Sequence, residues 1–183
     1  DIESAPHGPE VLERYPQVAV LKKKSRPERE VPKYLGRVLS RFPILRRHPH
    51  PMTIHFPIVF MFSTTLFNIL YLLTGIRSFE VTALHCLGAG ILLTPVAMAT
   101  GYLTWWLNYL ARPIPAVAIK KKTSVILFGT EIIAFLWRVT VPDILQTFSP
   151  AGLIYALLIF SLLPLVSVIG WFGAQLTFPP ERD

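Results

Sequence analysis

Long apolar stretches alternate with short polar breaks from residue 53 towards the C-terminus. Four stretches reach the roughly 20 residues that a helix needs to cross a membrane, and they span residues 53–74, 81–107, 123–141 and 151–176. Glycine, proline and charged residues fill the breaks between them. Because short connections make neighbouring helices antiparallel, the pattern predicts an all-α integral membrane protein, built as an antiparallel four-transmembrane-helix bundle.

The N-terminal segment has a different pattern. Basic residues recur every four positions at Lys33, Arg37 and Arg41, with apolar side chains on the opposite side. Such a helix lies flat at the membrane surface, with its apolar face in lipid and its cations on anionic headgroups; a docking surface for another subunit is the alternative. The sequence thus divides into a basic amphipathic N-terminal extension (1–47), the transmembrane bundle (48–178) and a short C-terminal tail (179–183).

Composition supports this division. Hydrophobic residues make up 52% of the chain and charged residues 16%, whereas a typical soluble domain has about 25% charged residues. Basic residues concentrate in the extension and in Lys120-Lys121-Lys122 of the second break. By the positive-inside rule, both termini and this second connection are cytoplasmic. Proximity to a membrane explains these clusters without nucleic acid, and the single cysteine, Cys86, excludes an internal disulfide and a CxxC motif.

An internal repeat relates the two halves of the predicted bundle. In the second and the fourth apolar stretch, a proline (Pro95 and Pro164) is followed six residues later by a glycine and an aromatic residue. The same offset lays the first stretch onto the third. The pattern favours two helical hairpins related by an axis along the membrane normal; chance is the alternative, since proline and glycine are common in membrane helices.

Three of the five histidines, His48, His50 and His55, lie within eight positions where the basic segment meets the first apolar stretch. Imidazole is the commonest neutral ligand for metals and haem iron. The cluster predicts a cofactor site at the membrane–water boundary, led by His55 with His50 close to it. The alternative is that the prolines of this run separate two helices and the histidines only tolerate the interface.

His85 is a second candidate ligand, but it cannot share a haem with His55 within one chain. At about 1.5 Å per residue, the first helix climbs roughly 28 Å from His55 to Thr74, and the second descends only about 8 Å before His85. The two imidazoles therefore differ in depth by about 20 Å, whereas ligand nitrogens lie about 2 Å from a metal. Each histidine would bind the iron alone in a five-coordinate haem, or it would share the iron with a histidine from another subunit. A quinone could instead accept a hydrogen bond from His55.

Other polar residues lie at the predicted depth of His85, namely Asn68 of the first helix and Arg138 of the third. Ionisable groups inside a membrane are costly and by default functional. Arg138 could hold a haem propionate while His85 binds the iron, or it could extend its charge to the outer surface. Structural packing of these polar groups is the alternative.

The run His50-Pro51-x-x-x-His55-Phe56-Pro57 before a spanning helix resembles a signature of bacterial four-helix membrane proteins whose function is unknown. The segments 101–105 and 170–173, where the second and fourth helices end, are similar to that family as well. The resemblance covers residues 48–178, and it implies a bundle associated with haem or redox chemistry in the bacterial inner membrane. Members commonly have a histidine early in the third helix; this chain has Lys122-Thr123-Ser124-Val125 there.

The sequence contains no nucleotide-binding glycine loop, no Ser/His/Asp triad and no CxxC pair. We therefore expect a non-catalytic subunit rather than a hydrolase or transferase. The leading hypothesis is a cytochrome-b-like or quinone-facing membrane subunit of a respiratory or photosynthetic electron-transfer complex, with haem b or a quinone as its cofactor. The alternative is a cofactor-free structural subunit that holds other membrane subunits of a larger complex.

Overall fold

The computed structural model describes residues 36, 37, 40, 41, 49–109, 111–146 and 148–177. The chain divides into two compact units, Asp1–Val38 and Leu39–Asp183. Within the predicted interfacial helix, the four described residues, Gly36, Arg37, Ser40 and Arg41, are helical. The rest of the extension, including His48, and the C-terminal tail lie outside the described residues.

The described part of the second unit contains four long helices. They are α1 (Pro49–Thr74), α2 (Arg77–Asn108), α3 (Pro115–Thr140) and α4 (Pro150–Thr177). The shortest has 26 residues, which is about 39 Å at 1.5 Å per residue and exceeds the roughly 30 Å hydrocarbon layer. All four are long and apolar enough to cross a membrane. The predicted four-helix membrane architecture is confirmed.

Proline and glycine set the helix ends. Pro115 occupies the first turn of α3, where the missing N–H of proline costs nothing. The hydroxyl of Ser149 accepts a hydrogen bond from the Gly152 N–H at 3.0 Å, which caps the start of α4. Gly75 ends α1 with a φ of 70°, a left-handed conformation that glycine adopts without strain. Its N–H donates to the carbonyl of Tyr71 at 2.7 Å.

Two predicted boundaries are wrong, for the same physical reason. The first break was expected at residues 75–80, but α2 already begins at Arg77; the second was expected to last to Lys122, but α3 begins at Pro115. The charged residues in these segments have partners within the bundle. Arg77 pairs with Asp143, and Lys121 lies over the ring of Trp105. A paired charge is tolerated inside a helix that crosses a membrane.

The helices form a ring in which each packs on its two neighbours. Contacts are most extensive within the hairpins α1–α2 and α3–α4, and fewer between α2 and α3 and between α1 and α4. This distribution fits the two hairpins that the repeat predicts. The core between them contains Met61, Leu87, Ile159 and Leu162, all almost fully buried.

The antiparallel order gives the bundle two distinct ends. At the proximal end α1 and α3 begin and α2 and α4 end; at the distal end the reverse holds. Thr53 near the start of α1 hydrogen-bonds Thr100 near the end of α2, with 2.7 Å between their hydroxyl oxygens. At the distal end, Arg138 near the end of α3 reaches Glu80 near the start of α2.

The Glu80–Arg138 contact is a buried ion pair. The Arg138 Nε donates to Oε1 of Glu80 at 2.6 Å, and the two side chains are 6% and 1% exposed. The pair joins α2 to α3 at the distal end of the bundle. Arg138 is therefore not extended to the outer surface, and its expected role as a partner of a haem propionate stays a prediction.

Breaking this pair should destabilise the bundle. Arg138→Met leaves Glu80 buried without its cation, and such losses typically cost about 3–5 kcal/mol. The double variant Glu80→Gln with Arg138→Met removes both charges and should recover most of that loss. Thermal unfolding of the purified protein in detergent, followed by circular dichroism, measures both effects.

The exposed pair of Arg77 and Asp143, whose atoms are 3.5 Å apart, provides the control. Exposed ion pairs contribute about 0–1 kcal/mol, so Arg77→Gln should leave the melting temperature nearly unchanged. If the double variant were as unstable as Arg138→Met alone, the loss of stability could not be assigned to an unpaired buried charge.

Candidate functional site

The proximal half of the bundle encloses a cavity of about 740 Å³ to which all four helices contribute. Most of its wall is apolar, with side chains such as Ile54, Leu127 and Val166. A few polar side chains also line it: His50, Thr94, Thr104, Lys120, Lys121 and Ser124. A large apolar cavity with a few convergent polar groups is the usual form of a small-molecule site.

His50 is the histidine that lines the cavity. Its Nδ1 lies 3.2 Å from the carbonyl oxygen of Ala97 on α2. Because a carbonyl oxygen only accepts hydrogen bonds, Nδ1 must carry the proton in this contact, and Nε2 keeps its lone pair. The Nζ of Lys120 on α3 lies 3.4 Å from that Nε2 and donates to it. The wall thus presents an ammonium donor next to an imidazole acceptor.

Two glycines make room for this pair. A Cβ added to Gly101 of α2 would lie 2.8 Å from Cε1 of His50, and one added to Gly173 of α4 would lie 3.2 Å from Nζ of Lys120. The first distance is shorter than real Cβ contacts, and the second is tight. His50 and Lys120 each lie near the start of a hairpin, and each therefore packs over a glycine in the second helix of the same hairpin.

Aromatic residues form another part of the wall. The Nζ of Lys121 lies 3.3 Å from the ring centroid of Trp105, which is a cation–π contact. The indole N–H of Trp105 donates to the carbonyl of Arg112 at 2.8 Å. Trp105 thus lines the cavity while its indole N–H is held by the connection that precedes α3.

The cavity reaches the outer surface of the bundle between α2 and α3. Tyr102 of α2 and Val125 of α3 both line it, and both are exposed on the outside. In a membrane this side faces lipid. A molecule dissolved in the bilayer could therefore enter from the side.

The structure brings one of the sequence candidates to the cavity and leaves the others elsewhere. His50 is in the wall, whereas His55 and His85 are exposed on the outer surface of α1 and α2. Asn68 is buried and donates to the carbonyl of Thr64 in its own helix at 2.8 Å. Arg138 belongs to the distal ion pair. The haem-iron roles of His55 and His85 stay predictions, which would require ligands from outside this chain.

Lys120 is the site residue that the sequence did not single out. Its run of three lysines looked like a connecting loop, and the signal that could have identified it is its nearness to the repeat counterpart of His50. The repeat offset pairs His50 with Ile119, the residue directly before Lys120. Among the described residues, no group of three or more His, Cys, Asp or Glu side chains could hold a metal ion.

These features define the class of the protein: a four-helix membrane bundle with an apolar cavity at one end. Residues 47–180 match the family model described as "Predicted membrane protein (DUF2231)", and because the match covers most of the chain, the protein belongs to this family. The expected membership of a membrane family of unknown function is confirmed. No curated protein and no solved structure matches the chain.

Filling the glycine position under His50 should disturb the site. In Gly101→Ala the new methyl group displaces the imidazole from the Ala97 carbonyl, and overpacking of this kind typically costs about 1–3 kcal/mol. We expect a lower melting temperature and loss of the Nδ1–H tautomer signal from ¹⁵N-labelled histidine in NMR spectra. Gly129→Ala is the matched control, since nothing lies within 4 Å of a Cβ there. Equal stability and unchanged ring signals in both variants would contradict the described packing.

Proposed function

We propose that the cavity binds the head group of a lipid-soluble quinone, and that the protein is a quinone-facing membrane subunit of a respiratory or photosynthetic electron-transfer complex. The observation that carries this proposal is the pair of Lys120 and His50 in an apolar wall. Their Nζ and Nε2 atoms are 3.4 Å apart, so a donor and an acceptor meet the same point of the cavity.

This pair suits both oxidation states of a quinone. A quinone oxygen is an acceptor, which the Lys120 ammonium can satisfy as a charge-assisted donor. The hydroxyl group of the reduced form is a donor, which the lone pair on Nε2 of His50 can accept in place of the Lys120 N–H. The Ala97 carbonyl fixes the imidazole in the tautomer that this requires.

The lateral opening between Tyr102 and Val125 supports a ligand that arrives from the bilayer. An isoprenoid tail could remain among lipids while the ring occupies the cavity. Lys120 strengthens the case for an oxygen-bearing ring, because no carboxylate among the described residues lies within ion-pair distance of it.

The His50 geometry also supports haem b as a second candidate ligand of the cavity. Metal-binding histidines usually donate their other ring N–H to a carbonyl or carboxylate, as Nδ1 does here. His50 would supply one axial ligand after Lys120 has moved, and Lys120 and Lys121 could hold the propionates. Bound haem would supply one-electron transfer, for which the chain provides the ligand and the apolar wall.

The orientation of the bundle belongs to the same proposal. We infer a position in the bacterial inner membrane with the proximal end towards the cytoplasm. The distal cations Arg77 and Arg138 are both paired with carboxylates, whereas the proximal end carries Arg112 and the three consecutive lysines of α3. This asymmetry of basic charge favours cytoplasmic termini. Other membrane subunits would be its partners.

A short-tailed quinone should quench the fluorescence of Trp105, since this indole lines the cavity. We expect saturable quenching in the detergent-solubilised protein and its loss in Trp105→Phe. A hydrogen bond to a charged group contributes about 1.5–3 kcal/mol, so Lys120→Met should weaken binding about tenfold or more. His50→Ala should weaken binding to the reduced quinone more than to the oxidised one.

Two neighbouring residues provide matched controls for this titration. Lys122 and His55 are exposed and do not line the cavity, so Lys122→Met and His55→Ala should bind the quinone as the unaltered protein does. Quenching that does not saturate, or equal losses in the control variants, would overturn the quinone proposal.

An absorption spectrum tests the haem candidate. If the protein isolated from its native membrane carries haem b, the oxidised and dithionite-reduced forms should show Soret and alpha bands that His50→Ala removes. Bands that disappear in His55→Ala or His85→Ala instead would move the haem to the outer surface and to a contact with another subunit. A featureless spectrum together with no quinone binding would leave the cofactor-free structural role.

A further inference from the structure

A second polar group lies behind the cavity wall, next to Thr94, which lines the cavity. Glu131 of α3 is 0% exposed and stands one helical turn beyond Leu127, which lines the cavity. The hydroxyl of Thr94 on α2 donates to its Oε1 at 2.9 Å, while Oε2 is buried and has no hydrogen-bond partner. Glu131 is thus a carboxyl group in the membrane interior with one free oxygen.

The other buried carboxyl group shows what a structural role requires. Glu80 is also buried and its Oε2 likewise has no hydrogen-bond partner, but the guanidinium of Arg138 neutralises its charge at 2.6 Å. Glu131 has no ion pair among the described residues. An ionisable group that is kept inside a membrane without a counter-ion is costly and marks a functional site or a proton path.

Thr94 connects this carboxyl group to the cavity. Its side chain lines the cavity, and a hydroxyl can donate one hydrogen bond while it accepts another. Thr94 precedes Ala97, the residue that holds His50, by three positions, or about 4.5 Å along the helix axis. The cavity wall therefore has two polar stations, the pair of His50 and Lys120 and the Thr94 hydroxyl, with Glu131 behind Thr94. The two oxygens on opposite sides of a quinone ring could meet one station each.

We infer that Glu131, acting through the Thr94 hydroxyl, exchanges a proton with the ligand of the cavity; this inference rests on the proposed quinone function. Two electrons from a one-electron carrier in a partner subunit reduce the ring. With the quinone bound, the Thr94 hydroxyl turns from Oε1 of Glu131 and passes its proton to the nearer quinone oxygen, and Glu131 in its acid form gives its own proton to the Thr94 oxygen. The Lys120 ammonium gives a proton to the other oxygen. The products are the quinol, the Glu131 carboxylate and a neutral Lys120 amine.

Infrared difference spectroscopy of the full chain with bound quinone tests this step. Reduction at an electrode should produce a negative band in the carbonyl-stretch region of protonated carboxyl groups, shifted in D₂O. The band should be absent in Glu131→Gln and present in Asp143→Asn, which removes an exposed carboxyl group at the distal end. Trp105 quenching in Glu131→Gln verifies that this variant still folds and binds the quinone.

The role of Thr94 has its own readout. Thr94→Val keeps the shape of the side chain and removes the hydroxyl, so quinol formation should slow about 10²-fold, the scale of a lost general acid. Thr94→Ser should restore the rate. A band that persists in Glu131→Gln, or an unchanged rate in Thr94→Val, would overturn the inference while quinone binding stands. Absence of saturable Trp105 quenching in the unaltered protein would overturn both.

Discussion

The buried ion pair of Glu80 and Arg138 determines how the two hairpins stand relative to each other. Helices in a bilayer gain little from burying apolar surface against one another, because lipid is equally apolar. Polar contacts inside the bundle therefore carry much of the specificity of packing. This pair ties α2 to α3 at the distal end, and residues of the same two helices line the cavity at the proximal end.

The bilayer also decides where chemistry can occur in this fold. Apolar side chains such as Leu92 and Ile133 are exposed on the outside, where lipid surrounds them. Polar side chains turn inward, and the buried ones include Thr64, Thr94 and Glu131. Since lipid offers no hydrogen bonds, each inward polar group must find a partner in the protein or in a ligand. Among the described residues, such partners are lacking at Oε2 of Glu131, Oε2 of Glu80 and the hydroxyl of Thr104.

Hydropathy was sufficient to predict four antiparallel helices, because a membrane span needs only a long apolar run. It could not predict the site, which depends on helix rotation. His50 and His55 are five positions apart, or about 140° around a helix of 3.6 residues per turn, so only one can face inward. The helix begins at Pro49 and directs His50 to the cavity. Likewise, Glu80 and Arg138 are 58 residues apart in the sequence, and they meet only because α2 and α3 run in opposite directions.

The two glycine positions under His50 and Lys120 have a consequence for ligand orientation. If both hairpins had the same side chain over their glycine, a symmetric ring would meet two equivalent walls and could bind in either of two poses. Instead, one hairpin contributes an imidazole and the other an ammonium at the same point of the cavity, and this difference makes those poses unequal in energy. A bundle of two similar hairpins thereby binds a ligand in one preferred orientation.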